Sequence, residues 1–553
     1  MRLFLSITFC LLFLLSSTRF SAQGFYEIGS FGLSIGEFNN ATYFFSMDQD
    51  DYALFKVGND NSRQKIKSAN IFGNLLEYHS IFYNNKLFYS ASELDYDSTE
   101  EIYGQELWLS DGTTSGTYQV KDIYTGMDNF NHPNSSYPEI FTLYNGSLYF
   151  IASDAEHGRE LWVTDGTEQG TQLIKDINPG SADSYITEMV VMNNHLYFFA
   201  SSDGFDKKLW VSDGTEEGTQ MISQVVDDLI YSNPMKINAT SDKVFFTAIV
   251  GSSFNNYNYE LWASDGNSIW LVTDINGTTE GSVDINNAYA VLNDQLYFSA
   301  KDNTTGSELW TSDGTEEGTY LVKDISVGDT DSDIRFPFVY NSKLYFKAFS
   351  IGTNHADIWI TDGTEGGTQI FFPLLEDQFS YAPPYYSILN DKMYLQAAAD
   401  EYGLQLWRIS LGGTNQERLM PVGITIHDAC GNFEIASSDG SIYYHANYTE
   451  NEFQIDKLWR YSDGTISVDE IPSLSSVQLY PNPTSNTLEI VLQQEHSFTS
   501  ISIFDMSGRI ITTQNITNQR VVKQNVETLH NGIYLIKLFD GEKEMAVKRF
   551  VKS

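Results

Sequence analysis

Cysteine is almost missing. The 553-residue chain has two, Cys10 and Cys430. Cys10 falls in an apolar N-terminal run that reads as a removable leader, so one cysteine remains in the mature chain. An internal disulfide and a cysteine-based zinc site are therefore excluded, and Cys430 reads as a small buried hydrophobe. Positive charge is also scarce: 32 Lys and Arg stand against 73 Asp and Glu, for a formal net charge of −41. Such a surface repels phosphate, which argues against nucleic acid and anionic lipid as partners. The nine histidines are scattered, and no pair has helical metal spacing. The phosphate-cradling, dinucleotide-binding, His-Glu-x-x-His and Gly-x-Ser-x-Gly signatures are all lacking. No residue is assigned a catalytic, cofactor-binding or metal-ligating role. No second long apolar run follows the N-terminal one, so no transmembrane segment is expected in the mature chain.

The N-terminal stretch MRLFLSITFCLLFLLSSTRFSAQ combines Arg2, a short apolar core and small residues near Ala22. This reads as a secretory signal peptide over residues 1–22. Beyond it the chain is rich in what globular β proteins need, with 41% hydrophobic and 14% aromatic residues.

Tryptophan sets the organisation. Eight of the nine recur in one phrase: Trp108, Trp162, Trp210, Trp262, Trp310, Trp359, Trp407 and Trp459, at intervals of 48 to 54 residues. A fainter copy with Phe55 in the tryptophan position precedes them, giving nine units, the first degenerate. A period near fifty marks repeated supersecondary units. Each unit reads as four short strands. In the third these are EIFTLYN, SLYFIAS, ELWVTD and TQLIKDI, with a tight Asn145-Gly146 turn between the first two. The equivalent pairs Asn193-Asn194, Asn293-Asp294 and Asn341-Ser342 also tolerate the positive φ of two-residue hairpins. Four-stranded units of this length point to an all-β, multi-bladed β-propeller of eight or nine blades over residues 24–470.

The phrase ELWVTDGTEQGT, Glu160 to Thr171, then has a structural meaning. Asp165 is expected to accept backbone N–H bonds in an Asx-type turn. Gly166 and Gly170 are expected to supply backbone angles that other residues resist. Thr167 and Thr171 should pair across the hairpin neck, and Trp162 should pack between neighbouring sheets. A residue type demanded once per unit does a job common to every unit, so the eight tryptophans read as structural. The alternative is multivalent binding. Oxygen-rich loops such as Asp329, Asp331 and Asp333 open like a calcium loop. However, Ile334 and Tyr340 occupy the positions where an EF-hand needs glycine and glutamate. No cofactor is assigned, and calcium is the one cation these loops suggest.

Composition changes after residue 470. Residues 471–476 read as a linker, and residues 477–553 alternate as short strands without the repeat phrase. From Leu474 onward eight basic residues meet seven acidic ones, so the acidity belongs to the repeats. The strand pattern suggests a small Ig-like β-sandwich.

LYPNPTSNTLEI, IFDMSGRII, LHNGIYLIKL and the terminal KRFVK resemble, in order, the C-terminal sorting domain of the type IX secretion system of Bacteroidota. Pro481, Asn482 and Pro483 match its opening motif. Asp505, Gly508 and Arg509 match its central turn, Asn531, Gly532 and Tyr534 its late strand, and Lys548 its final basic stretch. The resemblance implies passage through the periplasm, recognition by the type IX machinery, and release outside the cell or fixation at the outer surface. The repeat phrase resembles the ELWxxDGT repeat proteins, whose family offers no settled activity. Lys208, Asp357, Gln405 and Lys457 depart from its glutamate, which makes a shared catalytic role for that residue doubtful. The expected function is extracellular binding of a glycan or protein ligand. The alternatives are a polysaccharide-degrading hydrolase or lyase and a structural adhesion protein. Carboxylates are too abundant for a catalytic pair to be singled out.

Overall fold

The structure, a computed structural model, describes most of residues 24–552. The leader, Cys430, residues 463–476 with the linker 471–476, and several loops, among them 69–79, 375–385 and 420–434, lie outside the described residues. No α-helix occurs among the described residues. The chain divides into two compact units, Met1–Asp463 and Gly464–Ser553.

The first unit holds nine sheets of four or five strands, together with a two-stranded ribbon at Leu94–Asp95 and Glu100–Glu101. Sheet 3 shows the plan. Glu139–Tyr144, Ser147–Asp154, Gly158–Thr164 and Gln172–Lys175 form an antiparallel meander in chain order. The hairpin joining its first two strands turns through Asn145 at φ 48° and Gly146 at φ 78°, as the Asn-Gly pair requires. The Asn-rich pairs at 193–194, 293–294 and 341–342 adopt the same left-handed angles. In the first sheet Phe44 faces Phe55 across the ladder, where sheet 3 has Phe150 facing Trp162, so Phe55 occupies the tryptophan position. Sheet 5 gains a fifth strand, Gln224–Val225, which runs parallel to Ser268–Thr273.

Neighbouring sheets pack face to face on the indoles. Trp162 gathers Phe88, Leu107 and Leu109 of sheet 2 with Leu148 and Phe150 of its own sheet. Trp108, Trp210, Trp262, Trp310, Trp359 and Trp407 occupy equivalent clusters and are all buried. The side chain of Trp459 lies outside the described residues, although its backbone pairs with Tyr444. Lysines of the outer strands tie the sheets laterally. Lys121 Nζ donates to the Thr171 carbonyl of sheet 3 at 2.7 Å, and Lys175 Nζ to the Thr219 carbonyl of sheet 4 at 2.9 Å.

The last sheet does not follow chain order. Its strands Ile435–Ser438, Ser441–Glu450 and Phe453–Ser462 are completed by the first strand of the chain, Gly24–Ser30, antiparallel to Phe453–Ser462. Its innermost strand touches Tyr386–Leu389 of sheet 8 and Gly32–Phe38 of sheet 1.

The second unit has two sheets. Val477–Tyr480, Thr487–Leu492 and Val521–Asn525 form one; Ser500–Asp505, Ile510–Asn515, Gly532–Asp540 and Lys543–Lys552 form the other. Leu488, Ile490 and Val522 of the first meet Ile501, Ile503, Ile536 and Phe550 of the second in one core.

Candidate functional site

The repeat phrase builds both ends of sheets 2 to 7, counted in chain order, and the two ends differ. At the hairpin end, Asp165 Oδ1 accepts from the Thr167 N–H at 2.8 Å and the Thr167 hydroxyl at 2.7 Å. That hydroxyl accepts in turn from the Gly170 N–H at 3.0 Å. The neck is closed by Thr164 and Thr171, whose hydroxyls meet at 2.8 Å; Thr171 donates to the Thr167 carbonyl rather than pairing with its side chain. This corrects the expected Thr167–Thr171 pair. The two glycines also act differently. Gly166 has φ 89°, whereas at Gly170 the requirement is space, because a Cβ there would collide with the Asp165 carboxylate. The first glycine carries a packing demand as well: at Gly214 and Gly266 an added Cβ would collide with the hydroxyls of Tyr149 and Tyr197, each from the preceding sheet. The hairpin carboxylates are spent on this fold. Bonds from Thr167 hold Asp165 below its usual range, and Thr215, Thr315 and Thr364 do the same for Asp213, Asp313 and Asp362.

The opposite end carries the crossovers from one sheet to the next, and there the glutamate of the phrase has its partners. Glu160 is fully buried and accepts from the Ile177 N–H at 3.1 Å and the Asn178 N–H at 3.3 Å. Ser184, farther along the crossover, also contacts its carboxyl. Glu106 binds Ile123, Tyr124 and Ser136 in the same way, Glu260 binds Ser282, and Glu308 binds Ile325, Ser326 and Ser332. Each glutamate thus staples the chain segment that leaves its sheet for the next. Burial pushes Glu160 up to about 8, and Glu106, Glu260 and Glu308 up to about 7. The neighbouring aspartates Asp176, Asp122, Asp274 and Asp324 push in the same direction.

Departures from glutamate keep the staple by other means. Asp357, one methylene shorter, accepts from the Leu374 N–H at 2.9 Å. Lys208 inverts the polarity: its Nζ donates to the Tyr231 carbonyl at 2.8 Å, sits 4.6 Å from that ring and pairs with Asp206. The side chains of Gln405 and Lys457 lie outside the described residues. Two further members of the staple carried no sequence signal on their own. The residue before the buried serine accepts from the strand ahead of the glutamate, as Ser135 to Gln105, Asp183 to Arg159 and Asp331 to Ser307. A glycine two positions before the glutamate makes room for the crossover: a Cβ on Gly158 would stand 2.8 Å from the Ala182 backbone. Of the calcium-like run, Asp331 sits in a staple and Asp333 pairs with Arg335 at 2.8 Å. Among the described residues no group of three or more His, Cys, Asp or Glu is placed to hold a metal. His157 pairs with Asp154 at 2.8 Å, which raises its pKa.

After four of the five buried crossover serines the backbone turns left-handed, the exception being Ser282, which Val283 follows without a positive φ. Tyr137, Tyr185, Asn233 and Asp333 follow Ser136, Ser184, Ser232 and Ser332, with φ of 47° to 51°. A second left-handed residue comes three positions later, at Ile140, Glu188, Lys236 and Phe336, where the innermost strand bulges. Such angles cost about 1 kcal/mol or more in tyrosine, isoleucine and phenylalanine. They recur because the staple over-determines the backbone. The serine is constant while the residue presented after it varies. Tyr137 and Tyr185 stand 53% and 51% exposed. Phe205 (88%), Met127 (59%) and Val327 (61%) lie on loops of this same end. These five are the large hydrophobic residues more than half exposed among those described, and none lies at the hairpin end.

The comparisons with known proteins bear on the two units unequally. Residues 478–553 match the family described as the secretion system C-terminal sorting domain. The second unit is therefore the type IX sorting domain expected from its motifs, and it marks the protein as secreted, at the outer surface or outside the cell. Of the motif residues, Tyr534 is buried on Ile536's face of the core; Asp505, Gly532 and Lys548 lie on described strands, their side chains outside the description. Pro481, Asn482, Pro483, Gly508, Arg509 and Asn531 lie outside the described residues. No curated protein matches the chain. Among solved structures, a puromycin-hydrolyzing peptidase of Mycobacterium tuberculosis aligns at 9% identity and TM-score 0.34, covering 67% of this chain and 58% of its own. An oligogalacturonate lyase in complex with manganese aligns at 11% identity and TM-score 0.36, covering 78% and 98%. Prolyl oligopeptidase B from Galerina marginata aligns at 12% identity and TM-score 0.34, covering 77% and 55%. The chain thus spans less than two thirds of either peptidase, and at these TM-scores the likenesses carry no conclusion for it. No helix among the described residues is long and apolar enough to cross a membrane.

Proposed function

We propose that the first unit is a closed nine-bladed β-propeller that binds an extracellular protein or glycan through its crossover end. Closure is supported by the completion of the last sheet by the first strand, and by contact of that sheet's inner strand with both sheet 8 and sheet 1. The binding reading is carried by one observation: at four crossovers a buried serine is followed by a side chain that varies in identity at one fixed left-handed position. That separation of scaffold from presented residue is how repeat scaffolds build recognition surfaces. The repeat itself, tryptophans included, is structural in this reading.

The chain crosses the periplasm after loss of residues 1–22, as in Bacteroidota. The second unit is an Ig-like sandwich whose Pro481, Asn482, Pro483, Asp505, Gly508, Arg509, Asn531, Gly532, Tyr534 and Lys548 are read by the secretion machinery. Residues 24–470 form the binding body, joined to it by 471–476. Electron microscopy of the secreted protein tests closure, for which a string of separate lobes would be fatal. A screen of glycans and extracellular proteins, with and without calcium, tests binding. Turnover of a polysaccharide in that screen would replace binding by hydrolysis or lyase chemistry.

A further inference from the structure

Four of the five exposed apolar residues fall within three consecutive sheets, and hydrogen bonds join three of them into one patch. Arg159 Nη1 donates to the Tyr137 carbonyl at 3.1 Å, and the Arg159 N–H donates to Asp183 Oδ1 at 2.9 Å, two residues before Tyr185. The Ser201 N–H donates to the Ser184 carbonyl at 2.7 Å, tying the loop that carries Phe205 to the crossover that carries Tyr185. A Cβ on Gly204, next to Phe205, would lie 3.7 Å from Asn178 Nδ2 of that crossover. Tyr137, Tyr185 and Phe205 therefore share a surface whose backbone is fixed in advance, which lowers the ordering cost of binding.

The charge on this surface has one sign left over. Every exposed apolar side chain has an acidic neighbour within two residues: Asp128 beside Met127, Glu139 beside Tyr137, Asp183 beside Tyr185, and Asp203 and Asp206 on either side of Phe205. Of the cations close by, Arg159 pairs with Glu139, Lys208 pairs with Asp206, and Lys207 is half-buried with Glu188 as its charged neighbour. Asp203 is held in its charged form by the Phe205 N–H, the Ser201 hydroxyl and the Asp206 N–H. An anionic or phosphorylated ligand would meet this carboxylate row and the −41 of the whole chain. A cationic one would be steered in by both.

From this arrangement we infer that the patch formed by Tyr137, Tyr185 and Phe205 docks a basic, arginine-bearing segment of a partner protein. A guanidinium is flat and weakly hydrated. It can stack on an aromatic ring while bonding a carboxylate beside it, which an aromatic residue flanked by an acid is shaped to accept. The inference rests on the binding reading proposed above and narrows it to one class of ligand.

The test uses the full-length secreted protein and a short labelled arginine-rich peptide, followed by fluorescence anisotropy. Parallel arms contain the same peptide with citrulline for arginine, and neutral oligosaccharides. The informative variant is Tyr137→Asn with Tyr185→Asn. Asparagine tolerates the left-handed backbone, and Asn233 occupies the equivalent position in the next blade. The control is Tyr118→Asn with Tyr320→Asn, which removes two exposed tyrosines of outer strands away from the crossovers. Expected are binding of the arginine peptide that weakens with salt, at least a tenfold loss in the crossover variant, and no change in the control. Equal losses in the two variants, or none in either, would show that overall negative charge alone attracts the peptide, and would overturn the site. Binding of a neutral oligosaccharide through Tyr137 and Tyr185, with the peptide ignored, would overturn the ligand class and leave the binding reading standing. Binding in no arm and no hit in the wider screen would overturn both.

Discussion

Removing the Glu160 carboxyl is the most direct way to ask whether the staple holds the crossover. Glu160→Ala leaves the Ile177 and Asn178 N–H groups buried without their acceptor. An orphaned buried donor costs about 1–3 kcal/mol, so the pair should cost about 2–6 kcal/mol. Glu160→Gln separates hydrogen bonding from charge. Its single amide oxygen keeps one of the two N–H bonds, while its NH₂ replaces the other acceptor and can donate toward Ser184 Oγ, whose own hydrogen is given to the Arg159 carbonyl at 2.8 Å. A protonated Glu160 donates in the same way but its hydroxyl oxygen can still accept, so glutamine mimics the neutral acid less one acceptor. The sign of the pH dependence follows. Burial pushes the folded-state pKa to about 8, above the unfolded value near 4.3. The folded chain therefore holds this proton more tightly than the unfolded chain. The resulting stabilisation is complete below about pH 4 and is lost as the pH rises through 8. Urea unfolding of the secreted protein at pH 5.5 and 8.5 checks this, with each variant compared with wild type at the same pH to cancel the general charge effect. Alanine should be destabilised at both values. Glutamine, which orphans one donor where alanine orphans two, should lie about 1–3 kcal/mol below wild type at pH 5.5 and gain on it at pH 8.5. If glutamine were as damaging as alanine at both pH values, the carboxyl would be ionised throughout and the reasoning would fail.

Gly170→Ala should cost about 1–3 kcal/mol by driving a methyl into the Asp165 carboxylate, and the cost should shrink when Asp165→Ala is present, a coupling that a double-mutant cycle reads. Trp262 donates to the Ala248 carbonyl at 3.3 Å whereas the Trp162 N–H is buried without a partner, so Trp262→Phe should be the more destabilising of the two phenylalanine substitutions by about 1 kcal/mol in the same unfolding assay. Deleting residues 24–31 removes the outer strand of the last sheet and should expose Phe453–Ser462 to early proteolytic cleavage, seen as a new N-terminal or C-terminal fragment in a timed digest. Deleting 478–553 should leave the protein inside the cell envelope, detected by blotting of fractionated cells against culture medium.

Much of the first unit was legible because its signals are local. Asn-Gly and its relatives at the first turn, apolar runs in the second strand and Trp every fifty residues each report on contacts within a hairpin or on burial, and the structure has four strands per unit where they were read. Phe55 in the tryptophan position identified the degenerate first unit. The hairpin neck was misjudged by one strand because Thr164, Thr167 and Thr171 are all threonine. Only the fold tells which hydroxyls meet across a seven-residue gap. The staple was illegible for a different reason. Glu160 binds residues 17 and 18 positions away in the same unit, and Ser184 farther on. Since Lys208 and Asp357 make equivalent ties with other chemistry, the glutamate looked dispensable when read as a column of letters. The second unit showed the converse. Its motifs identified its family, yet most of those motif residues fall outside the described strands and their contacts.

The recurrence of left-handed tyrosine and isoleucine at the crossovers finally bears on why the phrase is so strictly repeated. A residue at φ near +50° is held there only if its neighbours leave it no alternative. Before Tyr137, Tyr185 and Asp333 the glutamate's bonds to the crossover backbone, the serine at its far end and the glycine that lets two chains cross supply that constraint, and before Asn233 Lys208 and Ser232 take their place. The residue that follows the serine is the freer position: it is an exposed tyrosine at two crossovers and bonds locally at the others, Asn233 to Tyr259 and Asp333 to Arg335. Tyr137 and Tyr185, Asn233 and Asp333 present three different chemistries while sharing one φ to within a few degrees. A purely structural array would gain by placing glycine or asparagine at all four. Retaining large exposed side chains in a costly conformation is explicable if something outside the chain contacts them.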